Sequence, residues 1–580
     1  MKNLKTLLPY LKKHWLFLTA GFLFMLLYNY GLMKVPVFIQ AVLDEIIKEN
    51  RAAIIHDNFI KIGLFILLVV ICLFMMRKLI IGVSRRIEYC LRERIFNKLM
   101  ALDYLFFQAN ETGDLVSRCT NDLNDVRTLL GPGVMYIPNS LSRIFLFLPV
   151  LIGLSGSLML IIAAMMLCLT ILIVVLIPYQ RPLFQKIQEL SAKISNRTWQ
   201  VISGISTIKL NTLEEIEIDR FKELNRDYIK KHMAVVKFRE GLWPVFLFVF
   251  ALTELVILLV GGKQVIQGSL TIGQLFQFNI MVAALTFPIL SLGWIMSLMQ
   301  QGISAMTRIN YILEHPEEQQ QGLSAITGSD LLFEVKNLDY AYPGSEQQVL
   351  NNINLTIEQG QTIAITGKIG SGKSTLLMVL TGLLKPEPGQ VFINGMDIRS
   401  IEQRSIFEKI SVVSQDPFLF SKTLAENIAL GAGGEPGPEV IAAAAENAGL
   451  GKDIETFPDR YEQMVGERGI TLSGGQKQRT AIARALCRCA PVMILDDPLS
   501  NIDADTEEQI LGNLKNLDSN RTLIIVSHRI SALRNADRIF VMDKGVIVES
   551  GVHAELMETG GLYSRLAVMQ QMEQQLEVSR

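Results

Sequence analysis

Six stretches of this 580-residue chain are apolar over the length of a membrane-crossing helix: 15–38, 59–83, 134–154, 158–179, 242–260 and 272–299. A bilayer core about 30 Å thick needs about 20 apolar residues of helix. Within it every backbone N–H and C=O must be bonded inside the segment, so such a run is helical. This excludes a soluble α/β enzyme as the whole fold. The remainder of the chain has the mixed composition of a soluble domain, and the formal net charge is only −1, which gives no reason to expect nucleic acid as a partner.

Basic residues set the orientation. Arg85, Arg86, Arg92, Arg94 and Lys98 follow the second span, and Arg181, Lys186, Lys193 and Arg197 follow the fourth. Such an excess close to span ends places those loops, and both termini, in the cytoplasm. Residues 1–13, with Lys2, Lys5, Lys12 and Lys13, read as a basic amphipathic helix on that face, not a signal peptide. Ile87, Cys90, Leu91, Ile95 and Leu99 recur at helical spacing, so the spans should continue into the cytoplasm. Each long inner loop has one break where a short transverse helix or a plain turn fits. One lies near Glu111 to Arg118, the other near Gly204 to Lys209. Lys34, Arg143 and Glu254 are ionisable residues within spans, and such groups avoid hydrocarbon. Lys34 and Arg143, near span ends, read as snorkelling or structurally paired. Glu254 is equally a structural group or part of a polar pathway. The expected domains are a transmembrane domain at 1–314, a linker at 315–330 and a nucleotide-binding domain at 331–580.

In that last domain Gly367, Lys368, Ile369, Gly370, Ser371, Gly372, Lys373 and Ser374 form the phosphate-loop pattern G-x-x-x-x-G-K-S. It lies between a strand-like run, 362–366, and a helix-like run beginning at Thr375. That context turns the pattern into a site. Glycines let backbone N–H groups approach phosphate, and the helix start adds positive potential. Lys373 can reach the β- and γ-phosphates, and Ser374 can hold Mg²⁺. The apolar strand 492–496 ends in Asp496, placed to coordinate the same Mg²⁺. Another strand, 523–526, leads to His528. Parallel strands ending at one edge bring Lys373, Asp496 and His528 around one phosphate site. Leu472-Ser473-Gly474-Gly475-Gln476 makes a second anion-binding helix start. Two such devices in one chain suggest that two copies sandwich the nucleotide.

On these motifs the whole chain resembles an exporter-type ABC transporter subunit, one membrane domain fused to one ATPase. The resemblance implies ATP and Mg²⁺ as ligands. It implies that Tyr342 stacks on adenine, that Gln415 touches Mg²⁺ and reports to the membrane domain, and that His528 contacts the γ-phosphate. It implies that Ser473 and Gly475 face the γ-phosphate held by the opposite subunit, and that Asp503 links the two sites. Gly466-Glu467-Arg468-Gly469 is similar to the exporter loop that touches the coupling helices, which the two breaks then become. One position departs from the pattern. Asp497 stands where the family usually has the glutamate that polarises the attacking water. A carboxylate one methylene shorter fits a slowly hydrolysing site in a heterodimer, with a homodimer that tolerates Asp as the alternative. The run from Phe106-Phe107-Gln108 to Leu123 resembles the multidrug and lipid branch. The expected activity is therefore ATP-driven export of a hydrophobic or amphipathic small molecule from the bacterial inner membrane, with membrane lipid in contact. A peptide or lipid homodimer and a regulatory ATPase without transport are the competing readings.

Overall fold

The computed structural model describes residues 2–47, 52–317, 324–326, 328, 330–499, 502–517 and 520–578. Two compact units emerge: 1–101 with 111–316, and 102–110 with 317–580.

The first unit is helical. Its long helices are α1 (Trp15–Ile47) and α2 (Ala52–Met100). A short helix α3 (Tyr104–Ala109) leads to α4 (Thr112–Leu154), which passes through π turns at Arg118–Asp122 and Leu129–Gly133. Then come α5 (Gly156–Ser203), the short α6 (Ile205–Leu210), α7 (Glu214–Val256) and α8 (Ile272–Leu313). At 49 residues α2 is about 70 Å long, more than twice a hydrocarbon core. The spans do continue beyond the membrane. Four described helical stretches, Trp15–Ile47, Ala53–Met100, Thr112–Leu154 and Pro244–Ile266, are long and apolar enough to cross it, and Gly156–Cys168 and Ile272–Thr286 are shorter apolar stretches. Only 11% of the most apolar window of α2 is buried, so its side chains are left to lipid or to a partner helix.

Lys34, Arg143 and Glu254 each have a neighbour that accounts for them. Arg143 is buried, and its Nε donates to Asn29 Oδ1 at 3.2 Å and its Nη1 to the Ala284 carbonyl at 3.3 Å. Neutral acceptors hold it, and the Asn29 amide in turn donates to Asn139 Oδ1 and Ser142 Oγ. Glu254 accepts from the Asn279 amide. Lys34 lies 5.5 Å from the Tyr30 ring centre. At the N-terminus Leu7 is buried, and Thr6 Oγ1 donates to Asn310 on α8.

The first transverse helix is displaced from its expected place. The chain does break at Asn110 and Glu111, but residues 112–118 run into α4 and the short helix, α3, lies before that break. Asp103 caps α3, its carboxylate accepting from the Phe106 N–H at 2.9 Å. Segment 102–110 belongs to the second unit, with Tyr104 and Leu105 against that unit's core.

The second unit holds two sheets. Strands β1 (Phe333–Ala341), β2 (Gln348–Ile357), β4 (Val391–Ile393) and β5 (Met396–Asp397) form an antiparallel sheet in the order β2-β1-β4-β5. Strands β3 (Thr362–Gly367), β6 (Ile410–Val413), β7 (Val492–Asp496), β8 (Thr522–Val526), β9 (Arg538–Asp543) and β10 (Val546–Gly551) form the other, in the order β10-β9-β3-β8-β7-β6. The β9-β3-β8-β7-β6 portion is parallel and β10 closes its edge antiparallel. Strands β3 and β8 read as near-continuous buried runs, as parallel strands covered on both faces must. The helices used below are α9 (Lys373–Leu380), α10 (Gly474–Cys487), α11 (Ala504–Leu517) and α12 (Leu562–Val578).

Candidate nucleotide site

In an open parallel sheet, ligands bind outside the carboxyl ends of the strands. Here β3 ends at Gly367, β7 at Asp496, β8 at Val526 just before His528, and β6 at Val413 just before Gln415. The turn after β3 requires glycine for two separate reasons. Gly367 (φ 145°) lies so close to β9 that a Cβ would sit 2.0 Å from the Met542 carbonyl oxygen. Gly372 (φ 95°) begins α9 with its Cβ position 2.9 Å from the Val349 carbonyl oxygen. Since backbone cannot step aside, Gly367→Ala is expected to cost about 3 kcal/mol. It should appear as a lowered thermal unfolding temperature of the ATPase domain, even without nucleotide.

Lys373 is buried, its ammonium donating to the carbonyls of Gly367 (3.0 Å) and Lys368 (2.9 Å). The loop is thus wrapped around its own lysine, poised where a phosphate oxygen would compete for the same charge. Burial pulls the Lys373 pKa down, while Asp496 and Asp497 push it back up. Burial raises the Asp496 carboxyl, and a hydrogen bond from Ser374 opposes that rise. Hydroxyl and carboxylate oxygens side by side are the donor set of a hard divalent cation, so Ser374 and Asp496 fit Mg²⁺. His528 is half-buried, its pKa lowered by burial and by Lys373 against the pull of Asp497 and Asp496. An imidazole held neutral at pH 7 keeps one N–H to donate.

Asp497 takes a left-handed backbone (φ 47°), with its N–H on the Val526 carbonyl at 2.8 Å. Lys373, Asp496, Asp497 and His528 therefore interact at one strand edge. Ser371 is buried within the loop, while Lys368 reaches Asp543 at 3.6 Å. Gly370 is exposed in the same turn, and Thr375 Oγ1 lies 3.2 Å from the Tyr342 hydroxyl. Tyr342 also meets Tyr340 edge-on, with ring centres 5.5 Å apart. Gln415 is exposed just past β6.

The signature segment forms a capping box. Ser473 Oγ accepts from the Gln476 N–H, and Gln476 Oε1 accepts from the Ser473 N–H. The Ser473 hydroxyl hydrogen remains to be donated outward, beside exposed Gly474 and half-buried Gly475. Asp503 caps α11, accepting from the Thr506 N–H at 2.9 Å, while Ser500 and Asn501 before it lie outside the described residues. Sequence reasoning missed several supports. Asp453 accepts from the Gln476 amide (2.9 Å) and pairs with Arg479 (2.8 Å), fixing the signature helix. Arg484 on α10 reaches the Phe418 and Asn427 carbonyls, tying that helix to the segment after Gln415. No local motif marks either residue.

A family model described as the ABC transporter transmembrane region matches residues 18–289, and one described as ABC transporter matches residues 350–500. A multidrug resistance-like ATP-binding protein, MdlA, of Buchnera aphidicola is 32% identical over 574 residues, covering 98% of each chain. This chain belongs to the ABC transporter family. Another relative of this ABC transporter is the Haemophilus influenzae ATP-dependent lipid A-core flippase, 32% identical with 89% of each chain covered. Escherichia coli MdlA is 33% identical, over 86% of this chain and 85% of its own. The solved structure of a bacterial Atm1-family ABC exporter with ATP bound shares the fold, with a TM-score of 0.75 at 24% identity over 97% of this chain and 98% of that one. The transporter is therefore of the exporter type, a helical membrane domain fused to an ATPase whose ATP hydrolysis is coupled to transport.

Proposed function

We propose that this ABC transporter is one half of a dimer that exports a hydrophobic or amphipathic small molecule, a drug or a lipid, from the bacterial inner membrane by alternating access. The names of its relatives support that cargo class. We further propose a heterodimer in which this chain's own phosphate loop lines the slow site. The observation that carries this is Asp497, which interacts with Lys373 and His528 at the strand edge but is one methylene shorter than glutamate.

In this reading Tyr342 stacks on adenine, the phosphate-loop amides from Gly367 to Thr375 and Lys373 hold the phosphates, and His528 donates to the γ-phosphate. Ser374, Asp496 and Gln415 hold Mg²⁺, which neutralises phosphate charge when bound. Ser473, Gly474, Gly475 and Gln476 face the partner's nucleotide, and Asp503 joins the two sites. Both termini and the ATPase lie in the cytoplasm, a placement that the basic inner loops support. Domains at 1–314 and 331–580, joined by a linker at 315–330, serve as membrane and motor parts, although residues 318–323, 327 and 329 of that linker lie outside the described residues. The apolar transverse helix α6 has no buried residue and leaves Leu210 85% exposed, which supports docking onto a second chain. The helix α3 belongs to the ATPase unit yet is joined to α2 and α4 by links of a few residues, so domain closure would pull directly on both. ATP drives that closure only because it binds the closed dimer better than the open one.

The decisive test is ATP-dependent uptake of a labelled amphiphile into inverted vesicles carrying this chain alone or with a neighbouring exporter subunit. Uptake requiring both chains supports the heterodimer. Uptake by the chain alone supports a homodimer, and ATP hydrolysis without uptake under any pairing overturns transport. Tyr342→Ala is expected to weaken ATP affinity about 10-fold, the value of one base–aromatic stack, while Tyr342→Phe keeps it. Nucleotide titration by fluorescence checks both.

A further inference from the structure

The helix α12 is fixed at its start and meets the segment that carries His528 two turns later. The Glu549 carboxylate accepts from the N–H groups of Leu562 and Tyr563. Tyr563 is fully buried, its hydroxyl 2.7 Å from His553 Nδ1 and its pKa pushed up to about 12 by burial. Ala567 follows one turn on, also buried. Helical spacing then brings Gln570 to the same face. A polar residue on a packed stripe needs partners, and Gln570 has two. Its amide nitrogen donates to the His528 carbonyl, and its Oε1 accepts from the Ile530 N–H at 3.0 Å. The carbonyl and N–H of residues two apart are met as a neighbouring strand would meet them. A neutral amide presents one such donor and one such acceptor in a plane.

The opposite side of the same segment is also fastened. Arg529 Nη1 donates to the Ile502 carbonyl (2.9 Å) and to Glu507 Oε2 (2.5 Å), and Ser531 Oγ donates to Glu507 Oε1 (2.7 Å). Glu507 is buried on α11. The backbone carrying His528 is thus held between α11 and α12.

We propose that Gln570 is a positioning residue for His528. Its two-bond clamp sets the height of the imidazole over the phosphate loop, so the C-terminal helix tunes how well this chain's site distinguishes ATP from ADP. The proposal rests on the assignment of His528 to the γ-phosphate.

The test is photolabelling of the purified transporter with azido-ATP, on ice and without turnover. Labelling is read on this chain's band and competed with unlabelled ATP or ADP. In Gln570→Ala, ATP affinity is expected to fall roughly 3- to 10-fold, as for one or two lost hydrogen bonds, with ADP affinity unchanged. A merely structural role would lower both nucleotides together, which would overturn the proposal. Gln570→Glu places a carboxylate against the His528 carbonyl. Its ATP affinity relative to the parent should recover as pH is lowered and the acid regains a donor, whereas that of Gln570→Ala stays flat. His528→Ala separates the two levels. If it removes the ATP preference while Gln570→Ala does not, the clamp is overturned and the histidine assignment stands. If His528→Ala leaves the preference intact, the γ-phosphate assignment falls, and the clamp's role falls with it.

Discussion

Replacing Lys373 by alanine is expected to abolish azido-ATP labelling of this chain, a loss of roughly 100-fold or more in affinity. The ammonium is buried and already desolvated, so phosphate meets a donor whose charge is little screened by water. Charge-assisted bonds to phosphate are about twice as strong as neutral ones, and truncation also orphans the Gly367 and Lys368 carbonyls. Lys373→Arg keeps the charge but cannot fold its fork into the same small space, so it should rescue little. In the proposed heterodimer, labelling of the partner's band should persist in both variants. Equal labelling of this chain with and without Lys373 would remove the phosphate loop from nucleotide binding altogether.

The second large effect concerns Asp497→Glu. If Asp497 polarises the attacking water as proposed, glutamate extends the carboxylate by about 1.3 Å, and a misplacement of about 1 Å is worth on the order of 100-fold in rate. Hydrolysis at this chain's own site should rise 10- to 100-fold on that scale. The measurement needs a dimer whose partner carries a neutral residue at its catalytic carboxylate, so that only this site can turn over. The left-handed backbone at Asp497 opposes the change modestly, because aspartate tolerates that region better than most residues. The variant should still fold, and phosphate release is the readout. An unchanged rate would mean that chain length at position 497 does not limit the site and that its slow character has been misassigned.

The phosphate loop was legible because its physics is local. Gly367, Gly372, Lys373 and Ser374 lie within eight residues, and the flanking strand and helix follow from apolar runs of different length. Asp496 and His528 were legible for a related reason, since a buried parallel strand announces its own end. The first transverse helix was not. Tyr104 to Ala109 is too short to display a period, and its partners lie in a core built from residues 326–542. The turn formers of Glu111 to Arg118 mark the break at Glu111 but not the short helix ahead of it. Gln570 escaped because a glutamine on a mixed helix looks like solvent-facing surface. Only the spacing from Tyr563 and Ala567 hinted that it faced inward. From sequence Arg143 reads as a snorkelling or ion-paired group, and its actual partners, an asparagine and a carbonyl on distant helices, leave no trace in the sequence around it.

Segment 102–110 carries a consequence for biosynthesis. Tyr104 and Leu105 leave the ribosome roughly 230 residues before Phe333, the first strand residue of the core they cover. At about 5–20 residues per second this is a wait of roughly 10–50 s. Through that interval a strip of aromatic and aliphatic surface stands uncovered beside a nascent membrane hairpin. An ATPase domain expressed alone from residue 331 would face the reverse problem, born with the receptor and without the plug. Supplying the 102–110 peptide in trans should then improve its solubility, making a nine-residue stretch of the membrane half an honorary part of the soluble one.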